Sequence, residues 1–440
     1  MADLSTEFCG VPIKNPLVSG AGPFAGSVEG VRKCIEAGFG VVMTKTASMF
    51  EYFHRFPQPR YNLVGYEYAE QGKGYLDWVW FHNDHNAPIG PAEFAGEVVS
   101  EVSGYARENN CLLIGTFAAS TVDEWVNCAR EYEKAGAGAI ELNYCCPGVS
   151  ALSDIIREGD VTAVFGDKLA EDPEATAQIT RKVREAVNIP IICKIPPILR
   201  GKINPTIRSL RQAGADAVEL YANSHGLRIN IESADPVGWG CAAVNTSGHL
   251  ADTLHDVANF SIENDIGIEI MAGRGLRKWS DAVEMLMAGA AVVETCTAMH
   301  VYGLGYAKDI LDGIETFMDR KGYASIGDLR GKALPNMLKS SQIKDNVKPL
   351  FAKVAGKKCI GCGRCEQVCV YNAIEMFYKN GLGVAKISRE QCNGCTICKR
   401  VCPEDAVEME ERTLEEYLRS QYYAHADSPE LEESLKELQS

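Results

Sequence analysis

Eight cysteines crowd into one stretch near the C-terminal end at regular spacing. They run Cys359-x2-Cys362-x2-Cys365-x3-Cys369, then Cys392-x2-Cys395-x2-Cys398-x3-Cys402, followed by Pro403. The second run repeats the first. Two-residue gaps let a tight loop present three thiolates to one compact body, and a fourth cysteine closes the site from elsewhere. Gly361, Gly363 and Gly394 permit the turns such a loop needs. A tetrahedral zinc takes four ligands, commonly as separated pairs, and does not match two runs of four. Disulfides do not suit a reducing compartment, so cysteines this dense read as ligands of iron–sulfur clusters.

The double run resembles that of bacterial two-cluster ferredoxins, where three cysteines of one run and the last of the other hold each [4Fe–4S] cluster. The resemblance implies Cys359, Cys362, Cys365 and Cys402 around one cluster. It implies Cys392, Cys395, Cys398 and Cys369 around the other. A module that moves single electrons implies a redox centre elsewhere in the chain. No other metal motif is visible, which points to an organic cofactor. Gly20-Ala21-Gly22 is too short and wrongly spaced for a dinucleotide fingerprint. A flavin is the natural candidate, because it exchanges hydrides with substrates and single electrons with clusters.

The elements that must position these groups are legible as apolar runs. Strands are expected at Leu17–Gly20, Val41–Lys45, Leu112–Thr116, Ala139–Asn143, Ile191–Ile195, Ala217–Tyr221, Ile268–Met271 and Ala291–Thr295. Most are nearly continuous apolar runs, as in parallel sheets buried on both faces. Amphipathic segments separate them, most clearly Ser27–Glu36, Val122–Ala135 and Pro173–Val187. Several end in Ala-Gly, at Gly38, Gly136, Gly214 and Gly289, a helix-terminating signal. Eight strands alternating with helices predict an α/β fold, an eight-stranded (β/α) barrel, with a doubly wound open sheet as the alternative. The long intervals 46–92 and 146–189 both follow a strand. In a barrel they lie over the C-terminal rim and are lid or substrate-loop candidates. The expected organisation is a barrel over 1–320, a connector over 321–355, an α+β two-cluster ferredoxin-like domain over 356–408 and an acidic tail over 409–440.

Composition narrows the class. The chain has 440 residues, 46% hydrophobic and 23% charged, which is ordinary for a globular protein. The net charge of −15 argues against nucleic acid as a partner. No apolar run approaches the roughly 18 residues of a membrane span. The acidic N-terminus lacks the shape of a signal peptide, so the cytoplasm is the expected location.

Four motifs recur in order: Asn15-Pro16-Leu17-Val18-Ser19-Gly20-Ala21-Gly22, Met43-Thr44-Lys45-Thr46, Glu141-Leu142-Asn143-Tyr144-Cys145-Cys146-Pro147 and Cys193-Lys194-Ile195-Pro196-Pro197. They resemble the dihydroorotate dehydrogenase and dihydropyrimidine dehydrogenase family, and the fused cluster module favours the pyrimidine-reducing side of it. The resemblance implies FMN at the mouth of the barrel. Gly20, Ala21 and Gly22 would pack against the flavin. Lys45 and Lys194 would contact it, and a cation near its N1–C2 carbonyl stabilises the anionic reduced form. Gly273, Arg274 and Gly275, with Cys296, Thr297 and Ala298, would hold its phosphate. Arg274 stands where relatives often have glycine, and would either touch the phosphate or face solvent.

Cys146 matches the family's acid/base cysteine, and a thiol with a free pKa of about 8.5 can deliver a proton near neutral pH. Cys145 stands where the family usually has serine. Asn83, Asn143 and Asn223, with Ser224, match residues that hold a pyrimidine ring, since amides offer both donor and acceptor to an imide-like edge. The expected reaction is reduction of the activated C=C bond of uracil or thymine to the 5,6-dihydro form, or its reverse. Alternatives are the same chemistry on another α,β-unsaturated carbonyl or cyclic amide, including dihydroorotate, or a non-catalytic electron-transfer subunit. With no pyridine-nucleotide site visible, a flavoprotein subunit or a ferredoxin would supply electrons, and a homo- or hetero-oligomer is expected.

Overall fold

The computed structural model describes residues 2–50, 54, 61–64, 79–82, 86–146, 167–197, 203–221, 224–237, 242–264, 266–337, 342, 348–379 and 382–421. The chain divides into two compact units, Met1–Asn336 and Met337–Ser440.

The first unit is a closed parallel barrel. Its strands are β1 (Leu17–Ser19), β2 (Val41–Met43), β3 (Leu112–Ala118), β4 (Ala139–Asn143), β5 (Ile191–Lys194), β6 (Ala217–Leu220), β7 (Glu269–Ala272) and β8 (Val292–Thr295). The sheet runs β2-β1-β8-β7-β6-β5-β4-β3, and β2 also pairs with β3, which closes it. All eight expected strands are present, and the open-sheet alternative is excluded by that closing pair.

The local signals act as their chemistry requires. Ser27 caps Val28–Glu36, and Thr121 and Glu124 form a capping box at the start of Val122–Lys134. Asp172 accepts from the backbone of Glu174 and Ala175 ahead of Pro173–Arg184. Gly38, Gly136, Gly214 and Gly289 all have φ between 89° and 114°, the left-handed region that stops a helix without a Cβ clash.

Alternate residues of each strand face the barrel interior. The lower interior is apolar: Val18, Val41, Met43, Leu112, Ile114, Ala139, Ile192, Ala217, Met271 and Val292 pack together. Phe8 and Ile13, from the antiparallel hairpin of Thr6–Phe8 and Val11–Ile13, join that cluster and plug the floor. Two residues further along the same faces the chemistry changes, to Lys45, Thr116, Glu141, Lys194, Glu219 and Glu294. The barrel is thus an apolar plug below a charged upper layer. The helices pack outside on a second, larger cluster.

Above the rim lies a four-stranded antiparallel sheet. Val79–His82 pairs with Tyr61–Val64 on one side and with Ala242–Thr246 on the other, and Ser224–Gly226 completes it. Its strands come from the long interval after β2 and from the segment after β6. The sequence reading anticipated a rim element from the first of these and overlooked the second.

The second unit is built from two antiparallel pairs, Leu350–Val354 with Val407–Glu411 and Ile374–Lys379 with Leu382–Ile387. Each cysteine run carries one short helix, Arg364–Gln367 and Ile397–Val401. Gly361, Gly363 and Gly394 have φ of 71°, 74° and 72°. Thr396 occupies the same left-handed region at 65°.

Close packing of helix on barrel yields a test. A Cβ on Gly115, in β3, would overlap the ring of Tyr132 on helix Val122–Lys134. Gly115→Ala is expected to destabilise the barrel by roughly 1–3 kcal/mol, read as a lower midpoint of its thermal transition. An unchanged midpoint would mean that the buried tyrosine ring gives way freely.

Candidate functional site

The polar top of the barrel opens into a cleft at the C-terminal ends of the strands. Of the residues singled out from the sequence, Ala21, Gly22, Lys45, Asn143, Cys146, Lys194, Arg274, Gly275, Cys296, Thr297 and Ala298 line it. They reach it from the ends of β1, β2, β4, β5, β7 and β8. Gly20 and Gly273 stand behind this wall, one on each side of Glu294. A Cβ on either would fall on the Glu294 carboxyl. These two glycines are therefore required by a buried acid, a reason the motif alone did not disclose. Gly22 is pinned in turn by Cys296, whose Sγ would lie 2.5 Å from a Cβ there. Asn83 and Asn223 lie outside the described residues.

Three glutamates meet beneath the cleft. Glu141, Glu219 and Glu294 come from β4, β6 and β8, alternate strands whose inward side chains share a layer in such barrels. Glu141 and Glu219 are 0% exposed and Glu294 is 7% exposed. Lys194, 6% exposed, forms an ion pair with Glu219. The Glu219 carboxyl also meets those of Glu141 and Glu294. Among the described residues no donor hydrogen-bonds either Glu141 oxygen. Burial, then like charge, raises the pKa of Glu219 well above the carboxylate range, and brings Glu294 to about 8. Burial likewise raises Glu141. Burial alone would lower Lys194, but the three glutamates outweigh it and hold the ammonium charged. Each glutamate was readable in the sequence as an acid inside a continuous apolar strand, a place where no solvent-facing side exists. That signal was overlooked.

Cys146 follows β4 in a turn held by Asn143. The Asn143 Oδ1 accepts from the backbone N–H of Cys145 at 3.0 Å and of Cys146 at 2.8 Å, and its Nδ2 donates to Thr46 Oγ1 at 3.0 Å. Asn143 thus positions the cysteine pair, and its side chain lines the cleft. The Cys146 thiol is pulled down to about 6. The hydrogen bond with Cys145 is the largest cause, and Lys194, Asn143 and Lys45 add to it against the opposing effect of burial.

Arg274 does not face solvent. It is 8% exposed, with φ of 70°, and lines the cleft. Its Nη1 donates to Ser224 Oγ at 2.6 Å, and its guanidinium lies 5.3 Å from the Tyr221 ring centroid. Left-handed backbone costs a non-glycine residue about 1–2 kcal/mol, which these contacts offset. Ser224 is thereby tied to Arg274 and does not itself line the cleft.

One wall of the cleft is aromatic. Tyr61, Trp80 and His300 line the cleft together, with Trp80 and His300 stacked at 5.3 Å between centroids and Tyr61 at 5.2 Å from Trp80. Asn86 lines it too, 4% exposed, with no hydrogen-bond partner for its Nδ2 among the described residues. Lys45, Lys194 and Arg274 converging on one cleft of an acidic chain, beside flat aromatic rings and a waiting amide donor, fit an anionic planar group such as FMN.

In the second unit the cysteines fall into two sets. One cavity is lined by Cys359, Cys362, Cys365 and Cys402. Another is lined by Cys369, Cys392, Cys395 and Cys398. Each set takes its fourth member from the other run. The backbone N–H of Ala352, Ala373 and Ala406 donates to the sulfurs of Cys392, Cys369 and Cys402 at 3.3, 3.3 and 3.2 Å. Such donors stabilise thiolate charge, which suits cluster ligands. Among the described residues no three His, Cys, Asp or Glu side chains gather tightly enough for one metal ion. Rings of thiolates around a wider cavity suit a cubane.

Two outcomes follow. Gly361 has φ of 71°, and a Cβ there would lie 2.6 Å from the Gly383 carbonyl oxygen. Gly361→Ala is expected to lose the Cys359–Cys362–Cys365–Cys402 cluster, lowering bound iron from about eight to about four atoms per chain. Retention of all the iron would show that this turn tolerates a side chain. Alkylation of Cys146 by iodoacetamide, followed on its own peptide, is expected to rise with pH to a plateau, half-complete near pH 6. An ordinary thiol is half-complete at about 8.5, and a midpoint there would show that the lysines do not act on it.

The comparisons with known proteins agree with this geometry. The family model "Dihydroorotate dehydrogenase" matches residues 3–318, and "4Fe-4S dicluster domain" matches residues 352–409. The chain is 24% identical over 378 residues to the NAD-dependent dihydropyrimidine dehydrogenase subunit PreA of Escherichia coli (strain K12), covering 83% of this chain and 85% of that protein. It is 26% identical over 339 residues to the dihydroorotate dehydrogenase B (NAD(+)) catalytic subunit of Thermoplasma acidophilum, covering 76% of this chain and 100% of that one. The corresponding subunit of Methanosarcina mazei is 28% identical over 326 residues, 74% of this chain and 93% of that one. A barrel whose rim gathers two buried lysines and a turn-borne cysteine, followed by two four-cysteine cavities, thus belongs to the dihydroorotate dehydrogenase family, whose members bind FMN, with a [4Fe–4S] dicluster domain at its C-terminal side.

Proposed function

We propose that this chain is the substrate-transforming subunit of an FMN- and iron–sulfur-dependent oxidoreductase acting on CH–CH bonds. Its reaction is reduction of the activated C=C bond of uracil or thymine, or the reverse. The observation that carries this reading is Cys146, held at the cleft by Asn143 beside Lys194, with its thiol pulled down to about 6. A thiol that changes protonation state near neutrality exchanges a proton with a substrate carbon in both directions.

Lys45, Lys194, Gly22, Arg274 and the backbone of Gly275, Thr297 and Ala298 would hold the FMN. When bound there, FMN supplies hydride exchange with carbon and single-electron exchange with the clusters. The chain's own groups do the rest. Tyr61, Trp80 and His300 offer a flat wall to a planar ring. Asn86 Nδ2 and the remaining N–H of Asn143 donate to ring carbonyls, and Asn83 and Asn223 are proposed to join them. In the reducing direction Cys146 Sγ–H gives its proton to the carbon beside the one that receives hydride. In the oxidising direction the thiolate takes it back.

A second reading, dihydroorotate and orotate as the substrate pair, is favoured by the family match and by the cationic cleft, which would accept a carboxylate. In either case we place the electron source in a separate flavoprotein subunit or a ferredoxin, engaged through the cluster domain in a hetero-oligomer. We place the protein in the cytoplasm, where thiolates destined for clusters stay reduced. Among the described residues no helix is long and apolar enough to cross a membrane.

Anaerobic titration of the chemically reduced holoprotein separates the readings. Rapid flavin reoxidation by uracil or thymine, slowed at least about 100-fold in Cys146→Ala, is the expected result. Reoxidation by orotate alone would transfer the assignment to the second reading. Reoxidation by none of them, with flavin and clusters intact, would overturn both.

A further inference from the structure

Of the carboxyl cluster, Glu294 reaches the cleft wall, while Glu141 and Glu219 lie beneath it in a demanding geometry. Glu219 touches two other carboxyls and one ammonium in a space closed to water. Two carboxylates in hydrogen-bonding contact need a proton between them. Three buried acids face Lys194, so full ionisation would leave unbalanced negative charge in a low-dielectric interior. Glu141, whose oxygens meet no donor among the described residues, is satisfied by sharing that proton.

The remaining groups at this level do not change the balance. β1 and β7 contribute Gly20 and Gly273, and β3 contributes Thr116. Among the described residues, the Cys146 thiol is a further titratable neighbour. The proton belongs to the cluster as a whole and not to one carboxyl. Its path of influence is short, because Glu294, Lys194 and Lys45 line the cleft while Glu219 pairs Lys194 from below.

We propose that Glu141, Glu219 and Glu294 form a buried proton-holding cluster that acts through Lys194 to couple the redox potential of the cofactor in the cleft to pH. Two electrons delivered by a reductant, with the one proton the flavin itself takes, leave one negative charge in the cleft. That charge raises the proton affinity of the carboxyls beneath. Where the resting cluster has released its proton to solvent, reduction draws one back, so two electrons carry in two protons. Protonation of Glu219 loosens its hold on Lys194 and leaves the ammonium to the cleft. The three glutamates are positioning residues that tune Lys194, not catalytic ones. The proposal rests on the family's flavin occupying this cleft. It does not depend on the substrate.

The window follows from the directions of the shifts. Below about pH 8, where Glu294 already carries its proton, reduction adds only the flavin's own proton. Above it, the reduced state is loaded and the resting state is not. The pH dependence of the flavin midpoint potential in the holoprotein, measured by spectroelectrochemistry without substrate, is therefore expected to steepen from one to two protons per two electrons as pH rises through about 8. The flavin's own ionisations near neutrality make such a slope shallower, never steeper. Glu219→Gln keeps the volume and removes the central acid, and it should lose the steepening. Glu141→Gln, which lies off the cleft wall, should move the steepening to lower pH. A wild-type slope of one proton throughout, or steepening unaltered in both variants, overturns the proposal. Infrared spectroscopy gives a reading independent of the flavin. At about pH 7.5 the solvent-facing carboxyls are ionised, and a protonated-carboxyl band is expected in wild-type protein and weakened in Glu219→Gln. Its absence from wild type overturns the proposal as well. Failure of every pyrimidine to oxidise the enzyme would leave both measurements intact, so the two readings fail separately.

Discussion

Lys194 and Glu219 meet at the level where the barrel interior turns from hydrocarbon to charge, and much of the site is arranged around that contact. An ion pair sealed from water is weak evidence for stability, because desolvation consumes most of what attraction returns. Here it has another use. The pair fixes an ammonium at the floor of the cleft, where ligand and Cys146 both sense it. Glu294 extends the same layer sideways, and its carboxyl fills the space that side chains at positions 20 and 273 would occupy. The glycine loops and the buried charges are one construction. The loops approach closely because they lack Cβ atoms, and the acid fits because the loops do.

Such a construction needs the apolar floor beneath it. Val18, Met43, Ile114, Ile192, Met271 and their neighbours exclude water from below, with Phe8 and Ile13 as the plug. A wet interior would screen the glutamates and return them to ordinary acidity. The fold thus supplies dielectric as well as geometry. Asn143 adds the third requirement, since an amide committed to two backbone N–H groups holds Cys146 at a fixed place relative to the lysines. Cys145 matters for its thiol as much as for its size, because its hydrogen bond is the largest influence on its neighbour.

The cluster domain solves a different problem with local means. Left-handed residues at 361, 363, 394 and 396 turn each cysteine loop inward, and the exchange of Cys369 and Cys402 ties the two runs into one body. Backbone donors to sulfur come from alanines next to or within the strands, so sheet pairing and ligand electronics are set together.

By itself the sequence determined what depends on neighbours in the chain. The cysteine spacing, the eight apolar strands, the Ala-Gly helix ends and the order of the lysine- and cysteine-bearing motifs are local patterns, and each has one physical meaning wherever the chain goes. The tertiary structure decided what depends on which strands face one another. Glu141, Glu219 and Glu294 are far apart in sequence and read singly as acids misplaced in apolar strands. Only closure of the sheet brings β4, β6 and β8 into one layer and makes them a cluster. Arg274 has two readings in sequence, and only its contacts with Ser224 and Tyr221 choose between them; only the fold brings the Asn86 amide to the cleft wall. Charge balance and desolvation are properties of a volume, and no window of sequence contains the volume.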